Sequence, residues 1–404
     1  MMTATMDAPA ANGLSFKRSL RPEASKDDGW QAPEDFFKSI RYVTMKVTNG
    51  CNLKCSYCNV EADLPSTPRM SLERCRRISD LLITDSKERL LSQEFHGGEP
   101  LLMSDEWFEE TVGYAQSLAK KYGKIVQHPM QTNGTRLTEQ RLETLLKLKV
   151  MVGISCDGPP RVNDRHRMAG KRVEQALRML IDRRVPFGMI LVLSPSNCRD
   201  MPEVMEYFHS LGVPGFRVNF MQPQGHGMDQ NLLTGEEMFE GMKAVFEHMA
   251  ATDCAVVEAT TQLIVNRFVQ GRLSNAPLSC WELQCQAGRV YCAVNLEGDV
   301  FACGTDMVHH RLGHIDDGFR SSHVQESLCQ LHHKDPWYVR CFGCEARRIC
   351  SQSCPTSDAN NLQYREAECD YTRRMFRYFQ ENESTVRRVF AAIGRKMPGA
   401  NAMR

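Results

Sequence analysis

Three cysteines fall within eight residues, Cys51-Asn52-Leu53-Lys54-Cys55-Ser56-Tyr57-Cys58, in the spacing C-x3-C-x2-C. The run before them, Arg41 to Val47, alternates and is β-branched enough to read as a strand, and Asn49-Gly50 breaks it. The cysteines therefore sit on a loop just past the C-terminal end of a strand. Three thiolates on one short loop can hold three irons of a [4Fe–4S] cluster, whose usual complement is four cysteines. The fourth iron is then left for a substrate or cofactor. Zinc is the alternative, but it prefers four ligands in paired C-x2-4-C spacing, and no fourth ligand stands nearby.

The totals limit the other possibilities. The 404 residues suffice for two domains or for one barrel with an extension. Fifty basic residues stand against 49 acidic ones, a net charge of +1, so there is no electrostatic case for nucleic acid or an anionic membrane surface. Residues 1–16 contain no apolar signal-peptide core, and no apolar run approaches the length of a membrane span. Seventeen cysteines are many for an ordinary cytosolic chain. A cytoplasmic location keeps thiols reduced and favours metal clusters over disulfides.

From Arg41 to about Phe220, strands and helices alternate. Expected strands are 41–47, 91–95, 125–132, 151–156, 187–193 and 215–220. Helical spacing between them is clearest at Val173, Ala176, Leu177, Leu180 and Ile181. Such alternation predicts a parallel sheet with right-handed crossovers. Eight such units would leave too little chain for the cysteine-rich C-terminal region, so the expected fold is α/β, a partial (β/α)6 TIM-type barrel. Chemistry in such barrels collects at the C-terminal strand ends. The unusual residues all lie there: the cysteine loop, Gly97–Pro100, Asn133-Gly134, Ser155–Gly158 and Met221-Gln222-Pro223. The expected divisions are a flexible leader over 1–38, the barrel over 39–235, a helical linker over 236–279, a cysteine-rich extension over 280–370 and a C-terminal helix over 371–404. Within the extension, 290–295 and 299–302 read as a hairpin around Leu296-Glu297-Gly298.

The cysteine loop resembles that of radical S-adenosylmethionine (SAM) enzymes, with His96-Gly97-Gly98-Glu99-Pro100 following at the second strand's end. The resemblance implies that Cys51, Cys55 and Cys58 hold a [4Fe–4S] cluster and that Tyr57 lies near the adenine of SAM. It also implies that Gly97, Gly98, Glu99 and Pro100 bind the SAM amino group. Glycines permit close backbone approach and a carboxylate can accept from an ammonium, although Gly-Gly-Glu-Pro alone is an ordinary turn. Ser155-Cys156-Asp157-Gly158-Pro159, followed by Arg167, resembles sulfatase-maturing and peptide-modifying relatives. By that likeness Ser155 and Arg167 hold the SAM carboxylate or ribose, and Gln131 and Asn133 approach the ribose or substrate. Read on its own, Arg167 is equally a charge on a solvated turn.

Farther on, Cys341-x2-Cys344-x5-Cys350-x3-Cys354, then Cys369, resembles the iron–sulfur (SPASM) extension of certain radical SAM enzymes. The likeness implies two auxiliary [4Fe–4S] clusters, one on Cys341, Cys344, Cys350 and Cys369, the other on Cys285, Cys303 and Cys354. Cys280 and Cys292 are alternatives for its fourth ligand. A zinc ribbon is the plainer reading of the Cys341/Cys344 pair. The resemblance as a whole implies a maturase acting on a ribosomally made precursor peptide and fed by a small electron donor of flavodoxin or ferredoxin type. One rival is anaerobic sulfatase maturation, whose enzymes carry an aspartate base directly after the cysteine matching Cys303. Here Gly304 follows, and Asp306 is the candidate substitute. The other rival is a non-catalytic iron–sulfur or zinc scaffold.

Overall fold

The computed structural model describes residues 36–59, 68–271, 285–332, 340–341, 343–351, 354–358 and 361–396. Six strands repeat through the first half: β1 (Tyr42–Thr48), β2 (Leu90–Gly97), β3 (Ile125–Thr132), β4 (Val150–Ser155), β5 (Gly188–Leu193) and β6 (Gly215–Phe220). They pair in parallel and in sequence order, with each expected strand in place to within two residues at either end. A two-residue β7 (Val257–Glu258) extends the far edge.

The intervening helices are set by ordinary local signals. Ser71, Ser104 and Thr138 each accept a backbone N–H three residues on, capping helices Leu72–Asp80, Asp105–Lys121 and Glu139–Lys147. Helix Gly170–Asp182 buries Val173, Ala176, Leu177 and Leu180 against the sheet, the face anticipated from spacing. Val43, Met45 and Val47 of β1 join that same core, together with Cys75 and Ile78. Alternation along a strand then sends Thr44 and Lys46 to the opposite face, the barrel interior.

The hairpin forms as expected, from β8 (Tyr291–Val294) and β9 (Asp299–Phe301), and β10 (Arg311–His314) adds antiparallel to it. Its placement was not expected. β8 pairs in parallel with β1, Tyr42 opposite Tyr291 and Val43 opposite Cys292, so barrel and extension share one ten-stranded sheet. Pairing across some 250 residues leaves no local trace in the sequence. Two other features differ from expectation. Phe36 and Phe37, assigned to the leader, form a short 3-10 turn and are fully buried against Phe319. Among the described residues, the C-terminal part of the chain forms two helices, Leu362–Glu381 and Glu383–Lys396, and Cys369 lies inside the first. The early turns of that first helix bury Arg365 and Glu368 beside Tyr364, which hides the apolar period.

Candidate active site

The loop carrying Cys51, Cys55 and Cys58 leaves β1 and is fixed on three sides. From β2, the Gly98 amide donates to the Thr48 carbonyl at 2.7 Å and the Glu99 amide to the Gly50 carbonyl at 2.8 Å. Gly97 has φ +128°, and a Cβ on Gly98 would run into the Gly50 carbonyl. The two glycines thus let β2 close directly onto the backbone that bears the cysteines.

Glu99 is fully buried, and burial raises its carboxyl above the usual range. Oε1 accepts from the Leu101 amide (2.8 Å) and the Thr132 hydroxyl (2.5 Å), and Oε2 from the Asn133 amide (2.8 Å). In this structure the Glu99 carboxylate pins the end of β3 and opens the short Pro100–Leu102 turn. Asn133 continues the connection. Its Nδ2 donates to Asn52 Oδ1 at 3.1 Å and approaches Cys51 Sγ at 3.8 Å, and its Oδ1 takes the Thr135 amide and hydroxyl. Ser155, at the end of β4, accepts from Gln131 Nε2 at 2.8 Å across the β3–β4 pair.

On the third side, Tyr57 is buried and its hydroxyl donates to Asp157 Oδ2. Asp157 Oδ1 takes the Val192 amide at 3.0 Å and faces Arg167 Nε at 3.2 Å. The Arg167 guanidinium lies over the Tyr57 ring, 5.3 Å from its centroid. Next to it, His166 Nδ1 and Ser56 Oγ are 2.5 Å apart. Arg167 is therefore held in a buried network, not on a solvated turn. Asp157, His166 and Ser56 are not identifiable from sequence, since nothing in their local spacing shows that they meet. The loop after β6 closes the remaining gap, where the His226 amide donates to the Cys58 carbonyl at 2.9 Å.

Backbone amides point at two of the cysteine sulfurs. The Leu53 amide points at Cys51 Sγ from 3.4 Å, and the same two-residue geometry recurs at Cys303, whose Sγ accepts the Thr305 amide at 3.4 Å. Amides aimed at sulfur favour thiolate. Burial, opposed by the nearby Arg167 charge and aided by Cys58 and Asp157, pushes the Cys55 thiol up to about 11. A bound cation overrides such a shift, because a coordinating thiol is deprotonated outright.

The barrel interior holds polar groups that the sequence does not advertise. Lys46 is buried, with the charges of Glu94, Cys303 and Cys58 acting against the desolvation that lowers its pKa. Its Nζ is 3.3 Å from His96 Nδ1. One register step away, Thr44 Oγ1 donates to Glu94 Oε2 at 2.6 Å and lies 3.2 Å from the Tyr291 hydroxyl, which accepts the Gly304 amide at 3.1 Å. Strand alternation reveals the apolar half of β1 and β2, while their polar half carries no signal until the strands are paired.

In the extension, Cys341, Cys344, Cys350 and Cys369 line one cavity of about 340 Å³. Burial pushes the Cys369 thiol up to about 12, with Cys350 and Cys341 adding to the shift. Cys354 Sγ lies 3.0 Å from Thr356 Oγ1, and Cys285 precedes β8 half-buried. Of the two alternatives for a further ligand, Cys280 lies outside the described residues. Cys292 is fully buried in the core opposite Val43, and desolvation is the sole cause of its shift upward. Asp306 is nearly buried, and its Oδ1 accepts the Val308 amide (3.2 Å) and the His309 amide (2.9 Å) of its own turn.

Residues 45–208 match the family described as the Radical SAM superfamily. The cysteine-type anaerobic sulfatase-maturating enzyme of Clostridium perfringens is 28% identical over 174 residues, 40% of this chain and 46% of that one. The antilisterial bacteriocin subtilosin biosynthesis protein AlbA of Bacillus subtilis is 26% identical over 194 residues, 46% of this chain and 41% of that one. The match thus spans less than half the length of either relative. Among solved structures, native anSMEcpe with bound AdoMet and the Cp18Cys peptide superposes with a TM-score of 0.74 at 20% identity, covering 87% of this chain and 98% of that one.

Proposed function

Residues 45–208 are a radical SAM domain, and from that premise we propose that this enzyme modifies a ribosomally made peptide. Cys51, Cys55 and Cys58 hold the [4Fe–4S] cluster, and the ends of β2, β3 and β4 bind SAM around it. Together the cofactors supply reductive cleavage of SAM and abstraction of a hydrogen atom from the substrate. The chain's own part is to hold, orient and exclude water. Gly97 and Gly98 bring the second strand against the cysteine loop. Glu99 and Asn133 tie that loop to β3, and Asp157 fixes Tyr57 and Arg167 beside it.

Lys46, His96, Glu94 and Thr44 offer hydrogen-bonding groups to a polar substrate inside the barrel. Cys341, Cys344, Cys350 and Cys369 hold one auxiliary cluster, and Cys285, Cys303 and Cys354 a second. These would supply one-electron redox chemistry, and the electron donor is a small protein of flavodoxin or ferredoxin type. A cytoplasmic setting keeps the proposed cluster-binding cysteines reduced, and no described helix is long and apolar enough to cross a membrane.

The observation that carries the reading is the closure of all three strand ends on one cysteine loop. Peptide substrates are supported by the subtilosin relative and by the peptide in the superposed structure. Sulfatase maturation is favoured by the likeness to the Clostridium enzyme. The base position weighs against it: Gly304 follows Cys303, and Asp306 has one oxygen committed to its own turn.

Anaerobic co-expression with short peptides encoded beside the gene, and with a neighbouring sulfatase, separates the two by mass spectrometry. Loss of two hydrogens from a short peptide is expected. An unchanged peptide with an aldehyde at a sulfatase Cys or Ser overturns the peptide reading and means that Asp306 or another residue replaces the missing base.

A further inference from the structure

On the outer face of the barrel, two helices bring three metal-binding side chains together. Helix Met201–Leu211 carries Glu206 and His209, three residues apart and so on one face. Helix Gly235–Ala251 carries His248. One ligand atom from each of the three lies within 4.8 Å of the others.

The surroundings do not use these groups. His248 Nε2 is buried and has no hydrogen-bond partner. Nearby acids are engaged elsewhere: Glu203 with Arg161, and Glu247 with Lys243 and the Tyr378 hydroxyl. Glu206 has no ion pair among the described residues. The His209 and His248 rings meet edge to face, centroids 5.4 Å apart.

We propose that Glu206, His209 and His248 form a site for a divalent transition metal of the zinc class, with water completing its coordination. Two imidazoles and one carboxylate are a known zinc donor set, and imidazole selects such metals over magnesium or calcium. Ligands of a tetrahedral zinc stand about 3.4 Å apart, from its bond lengths of about 2.1 Å. Rotation of the exposed Glu206 and His209 side chains closes the remaining distance.

The metal would act as a clip. Helix Gly235–Ala251 packs along helix Leu362–Glu381, which carries Cys369. Gly235 abuts Asp370, the residue after Cys369, and Phe246 packs on Phe379 at 5.0 Å. A bound ion therefore ties a barrel helix to the helix that supports one wall of the auxiliary cysteine cavity. The site stands whether or not the enzyme acts on peptides.

The test uses the iron-loaded chain and Zn²⁺ as probe, in equilibrium dialysis with metal analysis. The wild type is expected to hold one more tight equivalent of zinc than H209A/H248A. E206Q is expected to bind that equivalent about tenfold more weakly, the scale of losing or weakening a single metal contact. Zinc should raise the melting temperature of the wild type and not of the double variant. Iron content and circular dichroism, matched across all three, guard against misfolding. Should H209A/H248A be unstable, the exposed E206Q alone carries the comparison. Equal zinc binding by wild type and E206Q, or by wild type and the folded double variant, overturns the site.

Discussion

The Tyr57 hydroxyl donates to Asp157 Oδ2, joining residues 100 positions apart in the sequence. This bond fastens the cysteine loop to the fourth strand, and Arg167 completes it from the other carboxylate oxygen. Removing the carboxylate leaves Arg167 a buried cation without its partner. D157N is expected to cost about 3–5 kcal/mol, the scale for breaking a buried pair by deleting one member. Y57F removes only the one hydrogen bond to that carboxylate and should cost about 1.5–3 kcal/mol. Thermal unfolding of the two variants, with iron per chain measured alongside, checks the order. An equal effect in both contradicts the assignment of Asp157 as the hub.

Gly98 supports the loop from the other side. G98A places a methyl against the Gly50 carbonyl, so the loop must move. Overpacking of this kind costs about 1–3 kcal/mol. The expected result is a folded protein that retains its auxiliary iron and loses about four irons per chain, the content of one [4Fe–4S] cluster. Full iron retention in G98A contradicts the close-approach role.

Cys292 and Cys341 should part company in the same assay. C292A empties a small core position and is expected to leave iron content unchanged. C341A removes a wall of the four-cysteine cavity and should lose about four irons. Iron loss from C292A would instead make Cys292 a ligand.

His128 supplies a pH-dependent contribution to stability. It is buried, stacked on Phe95 at 5.6 Å, and burial lowers its pKa from 6.5 to about 4. A histidine with a depressed pKa favours the folded state while neutral. That contribution is complete above about pH 6.5 and is lost as pH falls toward 4. The full shift corresponds to at most about 3 kcal/mol. H128F should therefore lose less stability than the wild type between pH 7 and 4, measured by denaturant unfolding at each pH. Parallel pH profiles contradict the buried neutral state.

Much of this was legible because it is local. The C-x3-C-x2-C loop, the six strand–helix repeats and the hairpin at 291–301 each announce themselves within a few tens of residues. The grouping of Cys341, Cys344, Cys350 and Cys369 is implied by the family resemblance rather than by local spacing, and the four line one cavity. The partnerships across strands were not legible. Asp157 has the look of one more turn residue until the fold places it under Tyr57. Lys46 and His96 alternate with an apolar stripe and are neighbours only through the parallel register of β1 and β2. The carboxylate of Glu99 also holds Asn133, Thr132 and Leu101, partners that no local spacing shows. The chain's backbone donors claim such a carboxylate, because leaving them unpaired in the core costs more than one hydrogen bond returns.

The most direct test of the central claim is SAM cleavage by the anaerobically reconstituted enzyme with a chemical reductant, comparing wild type with C55A. The account predicts 5′-deoxyadenosine from the wild type and none from C55A, with matched circular dichroism and melting temperature. Undiminished 5′-deoxyadenosine from C55A, or none from a wild type carrying its full iron, would contradict it.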